Sequence, residues 1–170
     1  DARTSDVLRV AEKPGIARSL AILIGHTGDS WYWLGALGVI FLGNFWDLRA
    51  WSLVLAIAIF ALAAIIMAIK FTVRRQRPEG EWGQVYRRTD PHSFPSGHAA
   101  RAMMLAVLVY GLGPAWLIGL LFIWAPLVGI ARIATGLHYL SDVVAGWLIG
   151  FGAGLLFLEL VALTFPQLLI

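Results

Sequence analysis

Long apolar runs, each closed by a short polar cluster, set the pattern of this chain. Ala50 to Ile69 carries no charge over twenty residues. One helix needs about 20 residues, within a range of roughly 17–25, to cross the hydrocarbon core of a bilayer. Ser30 to Trp46 is also uncharged and just long enough, bounded by Asp29 and Asp47. Ala102 to Ala131 holds thirty uncharged residues, too many for one ordinary span. Gly111-Leu112-Gly113-Pro114 divides that run into a helical hairpin, and polar flanks that include the His98 turn extend its two arms. Tyr139 to about Thr164 supplies a fifth span. Ile16 to Gly25 is too short to cross, so residues 4–24 read as an amphipathic helix lying in the interface. A sixth span, completed by residues ahead of Asp1, is the alternative. The pattern predicts an all-α, polytopic transmembrane helix bundle of five to six spans with an N-terminal interfacial helix region over 1–28. It forms one domain over 1–170, with a basic loop over 70–98.

Composition agrees with the pattern. The chain is 59% hydrophobic and 14% charged, against roughly 45–50% and about 25% in soluble proteins. A net charge of +3 suits anionic lipid head groups; nucleic acid fits that sign but not the apolar content. There are no cysteines, so neither a disulfide nor a thiolate site is available. Residues 1–15 mix acids and bases, which is not the pattern of a cleavable signal peptide. Trp31, Trp33, Trp46, Trp51, Trp82 and Trp116 fall near predicted span ends, as an aromatic belt would. Gly146, Gly150 and Gly154 recur every four residues on the last span, which allows close helix approach. Packing within the bundle is the preferred reading of that stripe, and dimerisation the other.

Three polar islands interrupt the apolar runs. The first is Lys70 with Arg77-Pro78, the second Pro95-Ser96-Gly97-His98, and the third Arg132, His138 and Asp142. Ionisable groups at such positions are expensive unless they face one another or water, so they mark function by default. Alternating span direction puts the ends near Lys70, His98, Arg132 and His138 on the same side of the membrane. His138 and Asp142 are four apart, hence on one face if both are helical, where the carboxylate could take Nδ1–H and leave Nε2 as nucleophile or base. A helix-capping Asp142 beside an interfacial His138 is the bland alternative. Ser96 reads as an N-cap, Gly97 lets an anion approach the backbone, and His98 stands beside that anion. Arg77 offers a planar fork to phosphate oxygens and Lys70 a point charge. Arg74, Arg75, Arg87 and Arg88 read mainly as anchors to anionic lipid. His26 and His92 remain unassigned as incidental loop histidines. No histidine spacing or carboxylate cluster suggests a metal.

Lys70-x6-Arg77-Pro78, Pro95-Ser96-Gly97-His98 and Arg132-x5-His138-x3-Asp142, in that order, resemble the three-part signature of the type 2 phosphatidic acid phosphatase superfamily. That superfamily includes membrane lipid phosphatases and vanadium haloperoxidases. The resemblance implies a phosphatase without a metal or other cofactor. His138 would be the nucleophile forming a phosphohistidine, Asp142 its orienting partner, and His98 the acid that protonates the leaving group. Lys70, Arg77, Ser96, Gly97 and Arg132 would hold the phosphoryl oxygens. Two positions depart from the usual pattern: Ala131 where Ser often precedes the Arg, and Leu140 where Pro usually follows His-Tyr. Both bear on substrate fit rather than on the proposed chemistry. The expected substrate is a membrane lipid phosphate or diphosphate, such as phosphatidylglycerophosphate, phosphatidate or polyprenyl diphosphate. The expected location is a bacterial cytoplasmic membrane with the site on its extracytoplasmic side, although the positive-inside rule points the other way. Other readings are a lipid phosphotransferase using the same site, a vanadate-dependent peroxidase, or an anion-binding or transport protein.

Overall fold

A computed structural model describes residues 1–43, 46–80 and 83–169, with the backbone alone at Trp46, Asp47 and Val85. Eight α-helices form among the described residues: α1 Ala2–Leu8, α2 Ile16–Thr27, α3 Ser30–Leu42, α4 Trp46–Val73, α5 Gln84–Thr89, α6 Gly97–Leu112, α7 Ala115–Ala134 and α8 Leu140–Thr164. A 3-10 turn, Pro166–Leu168, follows. No strand occurs among them; Gln76 and His92 make an isolated antiparallel bridge that closes the loop between α4 and α6.

Stretches within α4, α7 and α8 (26, 20 and 25 residues) are long and apolar enough to cross a membrane. Together with the exposed apolar side chains on their outer faces, they make this an integral membrane protein. On α4, Leu55, Ala58, Ile59, Leu62 and Ile66 are buried, while Leu53, Ile57, Phe60 and Phe71 are exposed. That spacing is one face of a helix turned inward and another turned to the surroundings.

The 16-residue α6 is the central helix, with buried residues from Ala99 through Leu112. It packs mainly on α8 and α7, while α3 packs on α4 and α2 on α7. Lipid tails are as apolar as leucine, so such packing depends on close contact rather than on escape from water. The α8 glycines provide it. A Cβ on Gly146 would lie 2.6 Å from the Ser96 carbonyl oxygen, and one on Gly150 would overlap the Ala100 carbonyl. The stripe therefore packs within the bundle.

Four local expectations need correction. Residues 4–24 are not one helix: Pro14 and Gly15 separate α1 from α2. α4 does not end at Lys70 but continues to Val73. The 70–98 loop contains the helix α5. Of the expected belt, Trp31 and Trp116 are exposed, but Trp33 and Trp51 pack against the core. Trp82 and the Trp46 side chain lie outside the described residues.

Candidate active site

The turn between α7 and α8 carries the third island, and its sequence explains its shape. Gly136 adopts a left-handed conformation at φ 69°. Its N–H donates to Ile133 O at 2.9 Å, and Leu137 N–H to Arg132 O at 3.1 Å. These paired bonds close a helix C-terminus through a glycine that tolerates positive φ. The next N–H, of His138, also donates to Arg132 O at 3.3 Å. The reversal thereby sets His138 just past the end of the helix that carries Arg132.

Asp142 acts in that corner differently from the sequence expectation. His138 lies before α8, whose N-cap is Tyr139, so the two residues do not share a helical face. Asp142 Oδ2 accepts the Tyr139 N–H at 2.8 Å, the backbone half of a capping box. Its Oδ1 accepts from Arg75 at 2.8 Å. His138 Nδ1 stands 3.6 Å from Asp142 Oδ2, beyond hydrogen-bond distance, and has no partner among the described residues. Arg75 also bonds Ser141 and Asp1 and lies 4.1 Å over the Tyr139 ring. It braces this corner rather than reaching out as a lipid anchor.

Ser96 is the N-cap of α6, as expected, but its side chain makes no cap hydrogen bond. Its N–H donates to Asp142 O at 2.9 Å, which ties the second island to the third. The Phe94–Pro95 peptide before it is cis.

One cavity of ≈ 160 Å³ is lined by Lys70, Arg77, Gly97, His98, Arg132 and His138. Ser96 is fully buried next to Gly97, and Asp142 stands behind His138; neither lines the cavity wall. Tyr86, Asp90 and Arg101, which sequence reasoning did not assign, also line it, as does an apolar row on α4 ending at Met67. That row is Ile59, Leu62, Ala63, Ile66 and Met67, a stripe at helical spacing that leads to Lys70. From Ile59 to Lys70 is eleven residues, about 16 Å along the helix axis.

The electrostatics are cationic but balanced. Lys70 and Arg77 are buried, at 3% and 8% exposure, and share one carboxylate oxygen of Asp90 at 2.5 and 2.8 Å. Arg77 Nη1 also donates to Leu137 O at 2.8 Å and lies 3.0 Å from His138 Nε2. An arginine cannot accept, so Nε2 of His138 carries its lone pair toward Arg77 and the ring is neutral. Burial, then the charges of Arg77, Arg132 and Lys70, hold the His138 pKa well below the ordinary imidazole value. Arg132 lies 4.7 Å over the Tyr86 ring, and its Nε has no partner among the described residues. The Ser96 hydroxyl shares that condition. Buried polar atoms without partners are rare, and Arg132 Nε, on a residue that lines the cavity, is one that a bound anion would satisfy.

His98 meets Asp29 rather than a member of the three islands: its Nε2 is 2.5 Å from Asp29 Oδ1. Asp29 Oδ2 is 2.7 Å from His26 Nδ1, so His26 is no incidental loop residue. Only an alignment or a structure could have found Asp29 and Asp90, because each meets its partner across a long stretch of chain.

At the end of the helical bundle, the cavity thus brings clustered cations against a neutral buried imidazole. The chain belongs to the PAP2 superfamily, which it matches over residues 49–165. It is 34% identical over 149 residues to decaprenylphosphoryl-5-phosphoribose phosphatase of Mycobacterium tuberculosis, covering 85% of this chain and 80% of that protein. Among solved structures it resembles a PAP2-type phosphatidylglycerolphosphate phosphatase from Bacillus subtilis, with a TM-score of 0.77 and 22% identity over 96% of this chain and 85% of the other. Aquifex aeolicus LpxE aligns with a TM-score of 0.68 and 22% identity, covering 91% and 93% of the two chains. The protein is accordingly a hydrolase of the lipid phosphatase type.

Proposed function

We propose that this protein removes phosphate from a membrane lipid phosphate or diphosphate through a phosphohistidine, with fixed cations rather than a metal stabilising the transferred group. The observation that carries the reading is the cavity itself. Its cationic end, Lys70, Arg77 and Arg132, is continuous with the apolar α4 stripe ending at Met67. A phosphate on an acyl or prenyl chain has that division of character. The polyprenyl-linked substrate in the name of the Mycobacterium tuberculosis relative fits it and favours polyprenyl phosphates within the class.

In this mechanism Lys70, Arg77, Arg132, the Gly97 N–H and the Ser96 hydroxyl hold the phosphoryl oxygens. Phosphoryl transfer rests mainly on such positioning and charge stabilisation. His138 Nε2 attacks phosphorus once Arg77 turns its Nη1 from the ring to a phosphoryl oxygen. Asp142 holds the corner that carries His138, and a small shift of the ring across the 3.6 Å gap would bring the Nδ1–H bond onto Oδ2 as charge develops. His98 protonates the leaving oxygen and then activates the water that cleaves the phosphohistidine. The proposed topology has five crossings, α3, α4, α6, α7 and α8, with α1 and α2 in the interface beside the site. The site faces the extracytoplasmic side, and labelling of Gln84→Cys in intact cells by an impermeant maleimide tests that orientation.

Phosphate release from a panel of lipid phosphates in mixed micelles with EDTA tests the function. The wild type is expected to turn over at least one of them. His138→Ala should lose release while unfolding at the wild-type temperature, and full activity in that variant would sink the assignment. Product analysis with added alcohols separates hydrolysis from transfer to an acceptor other than water.

A further inference from the structure

We propose that Asp29, braced by His26, is the positioning residue that lets His98 serve as the acid in this cationic site. The inference rests on the phosphatase reading above. Asp29 is the N-cap of α3, at the turn after α2, and it makes no side-chain cap bond to its own helix. Both of its oxygens instead meet imidazoles, His98 Nε2 at 2.5 Å and His26 Nδ1 at 2.7 Å. The His98 side chain is 16% exposed and Asp29 19%, whereas His26 at 37% reaches the surface. Tyr86, which lies under Arg132, places its hydroxyl 3.3 Å from the same His26 nitrogen.

The chemistry calls for such a partner. A leaving alkoxide must receive a proton, so His98 must hold one among cations. Burial, then Arg132 of α7 and Arg101 of α6, disfavour a charge on it, and the Tyr86 ring meets it edge-on at 6.4 Å. Asp29 is the carboxylate that faces it. Burial alone would raise the Asp29 pKa, but the hydrogen bonds and charges of His98 and His26 hold it well below the ordinary range. It is therefore held as an anion, and its hydrogen bond and charge oppose burial and the two arginines in favour of a proton on His98.

Geometry adds an orientation. The Cδ2–Nε2 edge of His98 packs on the Gly28–Asp29 turn, where a Cβ on Gly28 would lie 3.4 Å from His98 Cδ2. With Nε2–H committed to Asp29, Nδ1 is the nitrogen available to the leaving group. As the His138 lone pair bonds to phosphorus, the bond from phosphorus to the ester oxygen breaks and its electron pair stays on oxygen. The His98 proton moves to that oxygen, so a neutral alcohol departs and His98 is left neutral with Nε2–H on Asp29.

Leaving-group dependence tests the role, because an aryl phosphate expels a weakly basic phenolate that scarcely needs an acid. The measurement is kcat/KM, which reports the phosphorylation step, for a long-chain alkyl phosphate and for p-nitrophenyl phosphate. General acid catalysis contributes about 10²–10⁴-fold. Asp29→Asn is expected to lower the alkyl-to-aryl ratio of kcat/KM at least ~30-fold. His26→Gln, which keeps the carboxylate on His98, should lower it in the same direction and by less. A ratio that stays at the wild-type value while both rates fall means that Asp29 only maintains the fold, and overturns the proposal. Wild-type rates in Asp29→Asn overturn it as well. Should Asp29→Asn fail to fold, the His26→Gln ratio decides on the same terms. A wild-type enzyme that hydrolyses neither substrate refutes the phosphatase reading itself, a result distinct from a lost or unchanged ratio.

Discussion

Asp90 occupies the position on Lys70 and Arg77 that a phosphoryl group would need, and Asp90→Asn tests whether it competes there. One oxygen accepts from Lys70 Nζ at 2.5 Å and from Arg77 Nη2 at 2.8 Å. Both bonds are charge-assisted, worth about 1.5–3 kcal/mol each against about 0.5–1.5 for neutral ones. The Asp90 side chain is 34% exposed, which places both at the lower end. An amide oxygen in the same place then weakens each bond by ~1 kcal/mol, or ~2 kcal/mol together, and 1.4 kcal/mol is tenfold in affinity. The cations themselves stay put. Arg77 Nε still donates to Asp90 O at 2.7 Å, and Lys70 to His92 O at 2.8 Å. Asp90→Asn should therefore tighten inhibition by orthovanadate ~30-fold. Inhibition of phosphate release gives the constant, and the shift of unfolding temperature with added vanadate measures it without turnover. A constant that is unchanged or weaker would refute the reasoning and make Asp90 an assembler of the cationic site.

Three further outcomes follow from the same coordinates. Arg75→Gln and Asp142→Asn, measured singly and together by thermal unfolding in detergent, should show a coupling of ~1–3 kcal/mol, because Asp142 is fully buried and Arg75 bonds its Oδ1. Additive losses would disprove the brace. Gly150→Ala should destabilise by ~1–3 kcal/mol, since its Cβ would overlap the Ala100 carbonyl, whereas Gly152→Ala, with open space around it, should not. Equal stability of the two variants would argue against the α6–α8 contact. The His138 pKa is depressed in the native state, so the unfolded chain takes up the proton first as pH falls. Its contribution to stability is complete above about pH 6.5 and is lost below that, by at most ~1.4 kcal/mol per pH unit, until the native pKa is reached. His138→Gln should flatten the fall in unfolding temperature between about pH 6.5 and 5, and an identical slope in both proteins would contradict the buried neutral ring.

What the sequence made legible was what depends on length and order. Uncharged runs of bilayer length predict α4 and α7 almost as they occur, and Gly111 to Pro114 divides α6 from α7 as expected. Span parity alone brings Lys70, His98, Arg132 and His138 to one end, and those four line one cavity. Gly136, the residue that makes the α7 reversal possible, was visible but carried no weight without φ. Where reading failed, a spacing rule met a competing local bond. The rule that residues four apart share a face requires both to be helical, and the Asp142 carboxylate starts α8 at Leu140 by taking the Tyr139 N–H.

The remaining misses share one physical cause, which is that a charge looks free in a sequence until its partner is known. Arg75 read as a lipid anchor because Asp142, 67 residues later, gives no local sign of being its acceptor. Asp29 read as the boundary of a span, although His98 lies 69 residues ahead of it in sequence and 2.5 Å away in space. In water such pairings contribute little, so guessing at them would add noise. At the end of a membrane bundle the balance differs: each buried cation disfavours the next, and a carboxylate becomes the means by which the cluster is tolerated. Asp90 on Lys70 and Arg77, Asp142 on Arg75, and Asp29 on His98 each follow that rule. The three motifs named the cations, the histidines and Asp142; Asp90 and Asp29, the carboxylates that meet Lys70, Arg77 and His98, emerged only from the packing of the chain.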